Sequence, residues 1–206
     1  MEKPHTEPVI STYPKRLDIA KVCVYGLSFM SAALFLVLPL INLLHPNPWK
    51  RNIGTIHSLA AILSSIVAVY AGHLAFPLLR GSVKVLPQMR TLTFWTTLIT
   101  FLSIASGNLA YMRYVAGAEY GGSRAWFEEN TPLAHYIFMQ YHIFSVLFTL
   151  PLGTACTWIL FSYGDAILEK QNSQVLAGSC IALMAIMFFN IGGLVTGLAL
   201  SKVHGL

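Results

Sequence analysis

Five long stretches without a charged residue constrain this chain more than any other feature. They cover residues 24–44, 52–79, 91–112, 130–164 and 173–201. Only 10% of the residues are charged, whereas an ordinary soluble domain has about 25%. A helix crosses the hydrocarbon of a bilayer with about 20 apolar residues, so each stretch is long enough for one crossing.

Inside a bilayer the backbone must satisfy its own hydrogen bonds, which restricts spanning segments to helices and closed barrels. The alternating pattern of barrel strands is absent from these stretches. We therefore predict an all-α fold, a polytopic membrane helical bundle of about five transmembrane helices. The helices are expected near residues 24–44, 54–79, 91–112, 133–163 and 174–200.

The distribution of Lys and Arg predicts the orientation of the bundle. With five crossings, the N-terminus and the second and fourth loops share one side, which has eight of these residues against five on the other side. The positive-inside rule then places the N-terminus in the cytoplasm. We interpret residues 1–206 as one integral membrane domain of a bacterial-type plasma (inner) membrane, with residues 1–22 as a retained cytoplasmic tail.

Several classes of protein lack support in the sequence. The net charge of +5 comes from Lys and Arg scattered beside the apolar stretches, and no basic stripe predicts a nucleic-acid partner. No phosphate-binding glycine loop, H-E-x-x-H or G-x-S-x-G motif points to a pump or a hydrolase. Cys23, Cys156 and Cys180 lie in or beside different stretches, and we interpret them as small packing residues.

Histidines inside the apolar stretches are the strongest functional signal, because an ionisable residue is costly in a membrane. His57 and His73 belong to the second stretch, and His135 and His142 to the fourth. At about 100° per residue, His57 and His73 point roughly 160° apart and cannot face one site. His135 and His142 share a helix face. The two stretches are separated by one crossing, so they run in the same direction and can hold His57 and His142 at matching depth.

A stripe of small residues follows each of these two histidines. Below His57 lie Ala61, Ser64 or Ser65, Ala68 and Gly72, and below His142 lie Ser145, Thr149, Gly153 and Cys156. Two facing stripes leave a slot for a flat macrocycle, and histidines on two helices of a bundle commonly ligate haem b. We predict haem b with His57 and His142 as the cofactor-binding and metal-ligating residues, and with His135 as a less favoured ligand.

Other interpretations of the same histidines stay open. A copper ion suits imidazole ligands, and small stripes also serve simply to pack membrane helices closely. In arrangement alone, histidines on two parallel helices resemble the haem b subunits that anchor respiratory oxidoreductases. That resemblance implies a subunit of a larger complex, with other membrane subunits and quinone as partners beside the lipid bilayer.

The leading hypothesis is a b-type cytochrome-like electron-transfer subunit rather than a free-standing enzyme. The alternatives are a non-redox accessory or assembly subunit and, third, a copper-binding or transport protein.

Three further features concern the packing and the anchoring of the bundle. Asn190 is expected to form an interhelical hydrogen bond, and Gly193-x-x-x-Gly197 is typical of close helix packing. In the third loop, Trp126 and Phe127 are expected to anchor at the lipid headgroups.

Overall fold

Four long helices form the part of the chain that the structure describes. The structure is a computed structural model that describes residues 49–117 and 122–203, with side chains from residue 53. The long helices are α1 (Trp49–Leu79), α2 (Leu86–Val115), α4 (Gln140–Tyr163) and α5 (Ser173–Val203), and a short helix α3 (Arg124–Asn130) lies between α2 and α4. The predicted tail 1–22, the helix 24–44 and Cys23 lie outside the described residues.

The long helices form a four-helix bundle in which α1 and α4 are diagonally opposite. Helix α2 packs against both α1 and α4, and α5 packs against the same two helices. Side-chain bonds near both ends of α2 show that it is antiparallel to α4: Tyr114 meets His135 at one end, and Arg90 meets Asp165 at the other. Helix α1 is antiparallel to α2 by the same reasoning, so α1 and α4 run in parallel.

Apolar side chains cover the outside of this bundle as well as its interior. Four segments are long and apolar enough to cross a membrane, namely Ile53–Leu79, Val83–Val115, Ala134–Leu168 and Lys170–Val203. Large residues such as Leu59, Phe161 and Phe188 are more than half exposed on the outer surface, which suits contact with lipid and not with water. The protein is an integral membrane protein, and the predicted all-α membrane bundle is confirmed.

The two ends of the bundle differ in character. At the end where α1 meets α2 through Gly81, here called the Gly81 end, a large apolar cluster includes Leu78, Met89, Leu160 and Leu183, all at most 2% exposed. The buried residues Cys156 and Cys180 belong to this cluster. The opposite end, here called the α3 end, has a smaller apolar cluster of Tyr114, Phe127, Ala134, Met139 and Leu200. The larger share of the apolar core therefore lies toward the Gly81 end.

Helix α3 packs over the bundle, which corrects one sequence prediction. Phe127 was expected at the lipid headgroups, but its side chain is fully buried, with its ring 5.7 Å from the ring of Tyr114. The loop folds back over the bundle, so burial against Tyr114 replaces contact with lipid. A six-residue π-helix, Ala134–Met139, then leads into α4. Such wider turns occur most often beside functional sites.

Candidate histidine site

The side chains of His57 and His142 meet in the centre of the bundle. They come from the diagonal helices α1 and α4, and their ring centroids are 6.1 Å apart with the ring planes at 88°. Both histidines lie toward the α3 end and are partly buried. The sequence prediction that these two residues share a depth and face each other thus agrees with the geometry.

A backbone carbonyl holds each of these two rings. The Nδ1–H of His57 donates to the Ser103 carbonyl of α2 at 3.0 Å, and the Nδ1–H of His142 donates to the Gly193 carbonyl of α5 at 2.7 Å. A carbonyl only accepts, so each Nδ1 carries the proton. In the neutral imidazole the lone pair is then on Nε2, and no hydrogen bond to either Nε2 occurs within residues 53–117 and 122–203.

A small cavity lies between the two rings. Its volume is about 10 Å³, and its lining includes both histidines, so it has room for about one water molecule. The remaining lining residues are Ala61, Ser65, Ser103, Val146, Asn190, Gly193 and Leu194. Apart from the two histidines, the polar side chains of the wall come from Ser65, Ser103 and Asn190, and the rest of the wall is small or apolar.

A buried polar cluster continues from this cavity toward the middle of the bundle. The Ser64 hydroxyl donates to the Asn190 side-chain oxygen at 2.8 Å and lies 2.7 Å from the Thr100 hydroxyl. The Ser65 hydroxyl is 3.2 Å from the backbone carbonyl of Asn190. The expected interhelical hydrogen bond of Asn190 is confirmed, and it ties α5 to α1 just below the histidines.

His135 belongs to a separate group of side chains at the α3 end. Its Nδ1 accepts from the Tyr114 hydroxyl at 2.5 Å, and its Nε2 lies 3.2 Å from a carboxylate oxygen of Glu128. Arg124 donates to the same oxygen at 2.8 Å. Both ring nitrogens of His135 are therefore engaged, and the residue is not brought to the His57–His142 pair. His73 is exposed on α1 and also lies apart from that pair.

Two features of the site were not found by sequence reasoning. Ser103 and Gly107 on α2 support the ring of His57, and the small-x-x-x-small spacing of these two residues was a usable signal. The sequence pattern Gly193-x-x-x-Gly197 predicts only helix packing. In the structure, the Gly193 carbonyl binds the ring of His142, and Gly197 lies directly against that ring. Gly107 lies against the ring of His57 in the same way.

Comparisons with known proteins give no match: no family model fits the sequence, no curated protein is similar to it, and no solved structure matches the fold. The class that the fold and the site define is therefore an integral membrane helical bundle with a pair of facing histidines. Any function must be argued from that pair.

Proposed function

We propose that this chain is an electron-transfer subunit of a membrane redox complex, in which His57 and His142 would hold a b-type haem. The observation that carries the proposal is that imidazoles from two opposite helices face each other in the bundle, with ring centroids 6.1 Å apart. One metal ion bound by two imidazoles at about 2.0 Å each is compatible with a separation of this size.

The hydrogen bonds of the pair support the same role. Histidines that ligate metals almost always donate their other ring N–H to a carbonyl, a carboxylate or water, which sets the tautomer and the ring orientation. His57 and His142 have this bond to carbonyls of α2 and α5. The Nε2 lone pair of each ring would thus be available to a metal ion.

The size of the cavity between the two rings is a stricter test of the haem proposal than the choice of ligands. A cavity of about 10 Å³ is far smaller than a porphyrin. Haem binding would therefore require the helices around the pair to move apart, because rotation of the lining side chains Val146 and Leu194 alone frees far less volume than a porphyrin needs. Bound haem iron would exchange one electron at a time between its ferric and ferrous states. The chain's own residues orient the ligands, and the apolar cluster at the Gly81 end keeps water from that side.

The small cavity favours a second candidate, a single copper ion held by the same two histidines. Imidazole is a suitable ligand for copper, and an ion needs no rearrangement of the helices. In either case the partners we propose are other membrane subunits and a quinone. The charge bias supports a cytoplasmic N-terminus, and the membrane we propose is a bacterial-type plasma membrane.

An absorption spectrum of the detergent-purified protein, recorded oxidised and then reduced with dithionite, tests the proposal. We expect a sharp reduced α-band at the b-type position that disappears in His57→Ala and in His142→Ala. His73→Ala is the matched control, since this exposed histidine lies on α1 but outside the pair, and it should leave the band unchanged.

Two other results would count against the haem. A colourless preparation containing one copper per chain would select the copper site. A colourless, metal-free and stable preparation would overturn both versions and leave an accessory subunit whose helices only pack against partners.

A further inference from the structure

The surroundings of His57 and His142 repeat each other closely. The Cε1 atom of His57 lies 2.8 Å from the position that a Cβ would occupy at Gly107 of α2. The Cε1 atom of His142 lies 2.9 Å from the corresponding position at Gly197 of α5. The next nearest atoms also match, with Nδ1 at 3.1 and 3.2 Å and Nε2 at 3.6 and 3.7 Å.

The hydrogen bonds follow the same pattern. Each Nδ1–H donates to the carbonyl of the residue four positions before that glycine, Ser103 before Gly107 and Gly193 before Gly197. One helical turn thus supplies both a carbonyl for the nitrogen and an open space for the ring. The pair α1–α2 and the pair α4–α5 therefore hold their histidines in the same local arrangement.

We infer that Gly107 and Gly197 are positioning residues for the histidine pair, since only a residue without a Cβ leaves the space in which each imidazole lies. An atom at 2.8–2.9 Å from a ring carbon is closer than Cβ contacts allow, so alanine at either position displaces the ring. The displaced ring loses the bond from Nδ1 to its carbonyl. This inference rests on the proposed function for its purpose, but its geometry is independent of which group is bound.

A double-substitution cycle on the purified full-length chain tests this inference. Gly197→Ala should lower the thermal midpoint by roughly 5 °C, the usual effect of overpacking in a chain of this size. In the His142→Ala background the same substitution should cost nothing, because the space of the ring is vacant. Gly178→Ala is the control on the same helix, where a Cβ would meet nothing within 4 Å, and a helix-favouring alanine should leave the midpoint unchanged or slightly raised.

A second readout separates positioning from a general packing role. In ¹⁵N-histidine NMR spectra, Gly197→Ala should move the ring-nitrogen signals of His142 and leave those of His73 unchanged. Gly107→Ala should do the same to His57. If Gly197→Ala alone prevents folding, the double variant with His142→Ala should restore it.

Equal losses with and without His142, or ring signals that do not move, would overturn the inference. Both measurements work on colourless protein, so they can succeed where the haem proposal fails. Conversely, a haem spectrum that survives Gly107→Ala and Gly197→Ala with unmoved ring signals would refute the role of the glycines alone.

Discussion

Removal of one hydroxyl, Tyr114→Phe, should destabilise the bundle without altering the histidine pair. The Tyr114 hydroxyl donates to His135 Nδ1, and the two side chains are only 3% and 5% exposed. Phenylalanine keeps the stacking with His135 but leaves a buried nitrogen without a donor, and such a loss costs about 1–3 kcal/mol. The free energy of unfolding, measured by titration with a denaturing detergent, should fall by that amount.

The matched control is Tyr111→Phe. Tyr111 stacks on Tyr114, but its side chain is 37% exposed, so removal of its hydroxyl should change stability by less than about 0.5 kcal/mol. In a His135→Leu background, Tyr114→Phe should likewise cost little, because no acceptor is left unpaired. The absorption spectrum should be unchanged throughout, since His135 lies outside the proposed ligand pair.

Two results would refute this reasoning. A stability loss for Tyr114→Phe no larger than that of Tyr111→Phe would mean that the Tyr114–His135 bond contributes nothing in the membrane protein. A shift of the α-band in Tyr114→Phe would indicate that His135 is coupled to the redox centre, and would revive it as an alternative ligand.

Three further predictions follow from other parts of the bundle. Asn190→Ala should lower the free energy of unfolding, and a double-mutant cycle with Ser64→Ala should give a coupling energy of about 0.6 kcal/mol, and at most about 1.7, for their interhelical hydrogen bond; additive losses would contradict it. In Cys23→Ser protein, Cys156 and Cys180, 2% and 0% exposed, should react with a water-soluble maleimide only after unfolding, and rapid labelling of the folded protein would disprove their burial. The hydrogen bond from Arg124 holds the pKa of Glu128 below its usual 4.5. The stability that the ionised Glu128 contributes is therefore present above pH 4.5 and is lost as the pH falls through the lowered pKa. Arg124→Gln should remove this loss of stability in acid, which unfolding curves recorded at a series of pH values would reveal.

Much of the architecture could be predicted because the bilayer leaves few choices. An uncharged stretch of sufficient length must be a helix, and short loops order the helices, so α1 and α4 had to run in parallel. The helix angle separated His57 from His73, and the parallel direction brought His57 toward His142. These conclusions rest on geometry that is the same for every α-helix.

The rest depended on contacts between distant side chains, which periodicity does not encode. His135 shares a helix face with His142 in the sequence, yet its partners come from α2 and α3, and only the folded loop reveals them. The burial of Phe127 depends in the same way on how α3 turns back toward Tyr114. The wider π-helical turns at Ala134–Met139 have no sequence signal comparable to a proline or a glycine.

The off-centre position of the histidine pair gives the proposed redox centre an electrical asymmetry. The two histidines and the carbonyls of Ser103 and Gly193 that bind them lie about a quarter of the way along their spans from the α3 end. An electron arriving from the α3 end would therefore cross about a quarter of the span, and one passing to the Gly81 end would cross about three quarters. At a membrane potential of 100 mV these steps would correspond to about 0.6 and about 1.7 kcal/mol. The membrane potential would therefore affect exchange with a partner at the Gly81 end about three times as strongly as exchange with one at the α3 end.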